Sequence, residues 1–247
     1  MNRMLVSTFA LVLAAGASLA STSFADTPAQ APSPPAPASG AGSAAAPAPT
    51  PSTTPVNVVV TKVQDFYNRT SSFRSDFQQE YFVKLHNVRK TSHGHVTFAK
   101  PGKMDWVYDD PQGNRVVSDG TLLRVYEASN RQMYEQKVDA SQYPAALSFL
   151  TGQGKLTDTF DFELFEGKDF AFPGGWVLVG SPKTPTPAYQ KVLFFVDQAT
   201  SQVRRVLVVD GQGNRNRFTF ENPAVNVAVT PAQFNFVPPP GTSVVRP

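Results

Sequence analysis

The feature that most constrains this chain is a period of two in its apolar residues, which begins at residue 72. Phe73, Phe77 and Tyr81 alternate with polar residues, so in an extended strand they would share one face. Similar short stretches follow, separated by turn signals such as Lys100-Pro101-Gly102 and Asp110-Pro111-Gln112-Gly113. The predicted strands are residues 73–83, 93–99, 104–108, 115–118, 122–126, 133–138, 159–165, 170–172, 176–179, 190–196, 202–209 and 215–221. The pattern predicts an antiparallel meander.

Helical spacing occurs in two places. Val56, Val59, Val63 and Tyr67 lie on one side of a predicted helix that ends near residue 71, and residues 144–150 predict a second, short helix. Ten or more strands with two or three short helices indicate a large curved sheet or an open barrel. Its apolar concave face has to be covered, and two helices could cover it without filling it. We therefore predict a mainly β (α+β) fold with a strongly curved antiparallel sheet, whose apolar concave face is covered by closure, by a second sheet, or by a short helical lid over an apolar cavity.

The chain divides into three predicted segments. Residues 1–25 have the basic start, apolar run and small residues before a cleavage site that are typical of a secretory signal peptide, with an uncleaved membrane anchor as the alternative. Residues 26–55 contain nine Pro and nine Ala and no large apolar side chain, which predicts a disordered linker. Residues 56–247 suit one domain. Because the chain has no Cys, it has no disulfide, no thiolate ligand and no lipidated Cys.

Catalytic and metal-binding patterns are weak. His86, His93 and His95 lie in a polar stretch that predicts exposed positions near a hairpin tip, and no carboxylate neighbours them in sequence. Asp109 and Asp110 are adjacent, so a strand would point them to opposite faces. The chain has no nucleophile elbow, zinc-protease motif or phosphate-binding glycine loop, and its net charge of +3 includes no basic block with interleaved aromatics. We expect no enzyme activity, cofactor, metal site or nucleic-acid binding.

Met104, Trp106 and Tyr108 would share one face of a strand, and in most proteins such a face is packed core. Four segments give this face a second interpretation: "SSFRSDFQQ" from residue 71, "KPGKMDW" from residue 100, "VVSDGTLLRVY" from residue 116 and "FNFVPPPGTSVV" from residue 234. Their content and order resemble the LolA family of periplasmic outer-membrane lipoprotein carriers. The resemblance runs from about Val58 to Val245 and implies an unclosed β-barrel with a helical lid.

The resemblance also implies site residues. Met104 and Trp106 match aromatic positions of the family's lipid-binding cavity, and we expect Tyr108, Leu147 and Leu150 to line the same cavity. Lys100 matches the family's basic residue before the Pro, often an Arg that bonds the lid, so we expect it to latch the lid with the single ammonium group of Lys. Arg124 stands where the family often has Trp, which leaves one cavity position open.

The function that the resemblance implies is that of a periplasmic chaperone. It would bind the acyl chains of outer-membrane lipoproteins as a monomer, receive them from an inner-membrane ABC transporter and deliver them to an outer-membrane acceptor. Two alternatives remain open at this point. A lipid- or lipoprotein-binding sensor or storage module could have the same fold, and a periplasmic hydrolase is the third possibility.

Overall fold

The computed structural model describes residues 48–138, 149–151 and 154–246. Two α-helices occur in these residues, α1 (Val56–Arg69) and the short α2 (Leu156–Thr159). The strands are β1 (Ser72–Val83), β2 (Val88–Ala99), β3 (Lys103–Asp110), β4 (Arg115–Asp119), β5 (Leu122–Glu127), β6 (Gln132–Lys137), β7 (Phe160–Glu166), β8 (Gly175–Pro182), β9 (Lys191–Asp197), β10 (Val203–Val209), β11 (Arg215–Val225) and β12 (Ser243–Val245). Three 3₁₀ turns complete the set: Phe149–Thr151, Gly167–Phe170 and Pro231–Phe234.

All twelve described strands belong to one sheet, in the order β12-β6-β5-β4-β3-β2-β1-β11-β10-β9-β8-β7. Every neighbouring pair is antiparallel except β12 with β6. β7 and β12 lie at opposite ends of this order, so the sheet is curved but unclosed. The predicted fold class, a mainly β protein with an open barrel-like sheet, is confirmed.

Period-two alternation divides the apolar side chains between the two faces of the sheet. The inner face holds the main core, and α1 lies on it through Val59, Val60, Val63 and Tyr67. Adjacent residues of one strand separate cleanly, since Phe194 packs in the main core and Phe195 packs on the opposite face. We call that opposite apolar group the outer cluster, and its members are Val177, Val179, Leu193 and Phe195, packed with Phe165, Phe170, Phe172 and Leu207.

Two local predictions need correction, and a third lies mostly outside the described residues. β2 begins at Val88, so residues 90–92 are in a strand and the hairpin turn is shorter than expected. Residues 170–172 form no strand, because the chain makes a 3₁₀ turn through Phe170 and Ala171 then takes a left-handed backbone conformation with φ 52°. Of the predicted helix over residues 144–150, only its end is described, where Leu150 lies in a 3₁₀ turn.

The predicted linker is ordered at its last residues. The Ser52 amide donates to the Leu164 carbonyl (3.0 Å), and the Glu166 amide donates to the Thr50 carbonyl (3.2 Å). Residues 50–52 therefore extend the sheet beside β7, with Pro51 opposite Phe165. Composition alone predicted a passive spacer here, and these backbone hydrogen bonds correct that prediction for residues 50–52.

Candidate functional site

The predicted cavity residues lie together on the inner face. Met104, Trp106 and Tyr108 point to the same side of β3 and are 4%, 2% and 3% exposed, and Leu150 is 3% exposed in the same cluster. Leu147 lies outside the described residues. Helix α1 packs against this cluster, so the side chains that the sequence grouped by spacing form one buried apolar surface beneath a helix.

Trp106 is closely packed by aromatic rings. Its ring centroid lies 4.9 Å from Phe77 and 5.6 Å from Phe98, both edge-to-face, and 5.2 Å from Phe218. Such pairs contribute about 0.5–1.5 kcal/mol each beyond the burial of their area. This geometry is that of an ordered aromatic core, so the sequence-based expectation of a loosely filled interior does not describe the surroundings of Trp106.

One polar atom in this apolar cluster is unsatisfied. The indole Nε1 of Trp106 is buried and has no hydrogen-bond acceptor among the described residues. A buried donor without an acceptor is destabilising by about 1–3 kcal/mol, and such groups are rare in native structures. The inner face therefore contains a donor that a polar atom of a bound molecule could satisfy.

Tyr108 belongs to a largely buried polar chain that links side chains on three strands. Its hydroxyl donates to Gln79 Oε1 (3.1 Å), and Gln79 Nε2 donates to Asn216 Oδ1 (2.9 Å). Burial raises the pKa of Tyr108 well above its usual range. The network joins β3, β1 and β11, and its partners could not be identified from sequence spacing because the register of the strands determines them.

Lys100 contacts the end of the helix that covers the site. Its ammonium Nζ donates to the carbonyl oxygens of Tyr67 (2.5 Å) and Asn68 (3.1 Å), in the last turn of α1. Carbonyls in a last helical turn lack intrahelical partners and carry a partial negative charge, so a cation there is favourable. Burial lowers the pKa of the Lys100 amine. The sequence predicted a latch at this residue, and the structure places its contacts on α1.

Two further hydrogen bonds tie α1 to its surroundings. The Val203 amide donates to the Tyr67 hydroxyl (3.2 Å), and the Leu156 amide donates to Gln64 Oε1 (2.9 Å). Burial raises the pKa of Tyr67, although the hydrogen bond from Val203 opposes that effect. Helix α1 is therefore held by apolar contacts and by a few side-chain hydrogen bonds, whereas the strands are held by continuous ladders.

Comparison of the sequence with known protein families identifies the family of this chain. Residues 68–237 match the family model described as outer membrane lipoprotein carrier protein LolA. The chain belongs to the LolA family.

Similar curated proteins include the outer-membrane lipoprotein carrier protein of Nitrosospira multiformis, 26% identical over 75% of this chain and 87% of that protein. The carrier of the same name from Ralstonia nicotianae is 26% identical over 76% of this chain and 86% of its own length. Among solved structures, a LolA superfamily protein from Nitrosomonas europaea has a TM-score of 0.43 at 11% identity and covers 74% of this chain and 98% of its own. An uncharacterized conserved protein from Thermus thermophilus has a TM-score of 0.49 at 13% identity, with coverage of 77% and 98%.

The resemblance to the LolA family left open whether residue 124 lines the cavity. In the structure, Arg124 does not lie on the inner face. Leu123 and Val125 point into the main core, so Arg124 points outward. Its guanidinium pairs with Asp119 (3.0 Å) and Glu135 (2.9 Å). The charge at residue 124 of this LolA family chain therefore lies outside the inner face.

The outer face of β1, β2 and β3 carries a polar groove of about 560 Å³ that sequence analysis missed. His95 lies in it between two carboxylates, with Nδ1 2.8 Å from Asp76 and Nε2 3.1 Å from Asp109. Gly94 allows β2 and β3 to approach closely, because a Cβ at residue 94 would overlap the Val107 carbonyl. The pairing of β2 with β3 shifts register between His93 and Gly94. All three His side chains are exposed, as predicted, but the neighbours of His95 come from other strands.

The described part of the chain shows neither a metal-ligand cluster nor a membrane-spanning helix. Within it, no group of three or more His, Asp or Glu side chains is arranged to hold a metal ion. None of the helices in these residues combines the length and the apolar character needed to cross a membrane.

Proposed function

We propose that this LolA family protein is a periplasmic carrier for the acyl chains of outer-membrane lipoproteins. It receives them from an inner-membrane ABC transporter and delivers them to an outer-membrane acceptor. One observation carries the proposal: the aromatic inner face around Trp106 belongs to the same buried core as a separate helix, α1, whose C-terminal end is bonded by Lys100. Names of the curated relatives support the same assignment.

The physical need for such a carrier follows from the cost of exposing lipid to water. Burial of an acyl chain is worth about 0.8 kcal/mol per CH₂, so one sixteen-carbon chain accounts for roughly 12 kcal/mol. Spontaneous transfer through water is therefore extremely slow. An apolar protein surface offsets most of this free energy, provided that its cover can open and close.

The closed inner face suits acyl chains that replace the cover rather than fill an empty space. Met104 and Trp106 are almost fully buried, so a ligand reaches them only after α1 or the neighbouring turn at Leu150 moves away. The inner face then contacts the methylene groups of the acyl chain instead of the valines of α1. Both groups are apolar. Such an exchange changes the free energy little and allows both uptake and release.

The unsatisfied indole of Trp106 gives the ligand a polar requirement as well. Lipoprotein acyl groups are joined through ester and amide carbonyls, which accept hydrogen bonds. A carbonyl placed at Nε1 would satisfy this unpaired donor, which has no acceptor in the described part of the chain. Plain hydrocarbon would leave that donor unsatisfied.

Lys100 acts in this proposal as the latch that favours the closed cover. Its two hydrogen bonds to helix carbonyls break when α1 moves. Residues 1–25 serve as the export signal, residues 26–49 as a linker, and the following residues form the carrier domain, which acts as a monomer in the periplasm.

The test uses a triacylated lipoprotein and, as its matched control, the same protein with its acylated Cys replaced by Ser. The mature carrier is mixed with each in mild detergent, the detergent is removed, and soluble complexes are measured by native mass spectrometry. A fluorophore on Asn68→Cys, unique because the chain has no other Cys, reports movement at the end of α1. We expect a one-to-one complex and a fluorescence change with the acylated protein only. Equal binding of the two proteins would contradict the proposal.

A further inference from the structure

The end of the β1–β2 hairpin projects beyond its neighbours on one side. β3 pairs with β2 only as far as His93, which lies opposite Asp110, whereas β1 pairs with β2 back to Val88. Residues 88–92 therefore have a strand on one side and no strand on the other among the described residues. At about 3.3 Å per residue this free length is roughly 17 Å.

The apex of this hairpin exposes apolar side chains. Residues 84–91 are all exposed, and Leu85 is 85% exposed while Val88 is 42% exposed. The turn itself is ordered, because the Asn87 amide donates to the Lys84 carbonyl (3.3 Å) and Asn87 adopts a left-handed conformation with φ 51°. A fixed turn thus presents a leucine to solvent, where nothing in the described part of the domain buries it.

Positive charge surrounds that leucine. Lys84, Arg89 and Lys90 lie in the hairpin, and residues 81–104 contain no Asp or Glu. Exposed Arg215 lies opposite Phe82 on the adjacent strand.

Two carboxylates close to the hairpin offset part of this charge. Glu80 is shared between Arg89 (2.5 Å) and Arg217 (3.0 Å). Asp210, in the neighbouring β10–β11 turn, accepts hydrogen bonds from the Gln212 and Asn214 amides, both 2.9 Å. Lys84, Arg89, Lys90 and Arg215 outnumber these two carboxylates, so the apex keeps a positive excess around an exposed apolar residue.

We propose that this hairpin end docks on the surface of an anionic lipid bilayer. Leu85 enters the interface between headgroups and acyl chains, and Lys84, Arg89 and Lys90 contact lipid phosphates. Basic residues near an anionic surface each strengthen binding about fivefold, and a single inserted leucine adds a modest, reversible contribution. Binding of this strength suits a protein that visits a membrane and leaves it.

An acidic protein partner fits the same charge less well. Specific protein interfaces bury roughly 800 Å² on each partner and need a matching shape. The apex of one hairpin presents a narrow, protruding surface with one strongly exposed leucine. A bilayer accommodates a protrusion of any shape, so the exposed leucine favours lipid.

The experiment is flotation of the mature protein with lipoprotein-free vesicles of phosphatidylcholine containing phosphatidylglycerol, compared with phosphatidylcholine alone. We expect binding to the anionic vesicles that falls at least about tenfold without phosphatidylglycerol or on raising salt from about 50 to about 300 mM. Leu85→Ser and Lys84→Glu should each weaken binding about fivefold or more. Val237→Ser, which alters another exposed apolar residue (76% exposed), is the matched control and should bind like the natural protein.

A second readout keeps the outcome clear. Leu85→Trp places a reporter at the apex, and its emission should shift to the blue on anionic vesicles. Equal flotation with and without phosphatidylglycerol, or unchanged flotation of Leu85→Ser and Lys84→Glu, would overturn the proposal, as would binding of acidic proteins with no vesicle binding. Because these vesicles contain no lipoprotein, failure here leaves the carrier proposal standing, and failure of acyl-chain binding leaves this one standing.

Discussion

The two apolar faces of the sheet are covered in different ways. On the inner face, the core that contains Trp106 and its aromatic neighbours also contains the buried side of α1, a separate helix bonded by Lys100. On the outer face, the cover of Phe195 is the short connection between β7 and β8, together with Arg205. The Arg205 guanidinium lies 4.8 Å above the ring of Phe195 and 5.7 Å above the ring of Phe172.

The two covers differ in how closely they are attached to the sheet. The outer cover, which is the connection between β7 and β8, begins at Gly167. A Cβ at Gly167 would overlap the Phe172 carbonyl and lie 2.5 Å from the Gly175 carbonyl, so the backbone of this connection is tightly folded on itself. Helix α1 is longer, joined to the sheet through Thr70 and Ser71, and attached by few polar contacts. The same sheet thus has a closely held apolar cluster on one face and a separate helix on the other, and we propose that this helix can move.

The largest expected effect comes from removing one ring on each face. Trp106→Ala and Phe195→Ala should each reduce the free energy of unfolding by about 3–5 kcal/mol, because both rings are closely packed. Only Trp106→Ala should also reduce binding of an acyl-chain probe. Urea unfolding and probe titration of both variants provide the comparison. If Phe195→Ala impairs binding as much as Trp106→Ala, the outer cluster is not a purely structural element.

The second prediction uses alkaline pH. Burial raises the pKa of Tyr67 and Tyr108 on the inner face, while the outer cluster contains no tyrosine among its described members. A raised folded pKa means that stability is fully present below about pH 10 and is lost as pH rises further. Each such tyrosine should lower the free energy of unfolding by about 1.4 kcal/mol per pH unit above that value. Tyr67→Phe should therefore show a shallower decline in urea unfolding between about pH 10 and about pH 11.

A smaller effect is expected at the latch. Lys100→Met keeps the length and apolar stem of the side chain but removes its two hydrogen bonds, so we expect a loss of about 1–2 kcal/mol. The fluorophore at Asn68 should report a more mobile end of α1 and faster release of bound acyl chains. Lys103→Met is the matched control, because its Nζ lies 6.0 Å above the ring of Phe234 rather than on α1. Equal release rates in the two variants would show that Lys100 is not a latch.

The smallest effect concerns the outer cover. The Thr50 amide donates to Asp169 Oδ2 (2.8 Å) in the Gly167–Phe170 turn, so residues 50–52 support that cover. Deleting residues 26–47 should leave the thermal transition unchanged, since they contain no large apolar side chain. Deleting residues 26–52 should lower the free energy of unfolding by about 1 kcal/mol. Identical melting of the two truncated proteins would show that the edge pairing contributes nothing.

Most of the sheet could be predicted because alternation is a local signal. The start of β2 was missed since residues 88–91 are exposed on both faces and have no apolar alternation. Residues 170–172 were predicted as a strand because Phe170 and Phe172 alternate, yet both rings pack back onto the outer cluster from a turn. Alternation reports which residues are apolar, but it does not report the backbone conformation between them.

The site was predictable in composition and less so in its contacts. The shared face of Met104, Trp106 and Tyr108 followed from spacing. Their assignment to a candidate site, like that of Lys100, followed from the family resemblance. The neighbours of His95 and the network from Tyr108 to Asn216 depend on strand register, which sequence spacing does not determine. The pairing of residues 50–52 uses backbone groups, so no side-chain pattern could indicate it.

Each end of the described chain covers one edge of the open sheet. Residues 50–52 pair with β7, and β12 pairs with β6 through residues 243–245. Unpaired edge strands are the usual starting points for strand exchange and aggregation between copies of a protein. A closed barrel avoids this hazard by having no edges, whereas this protein keeps its sheet open and shields both edges with its own terminal segments. Proteolytic trimming at either end would therefore leave the fold largely intact but make the protein self-associate at high concentration.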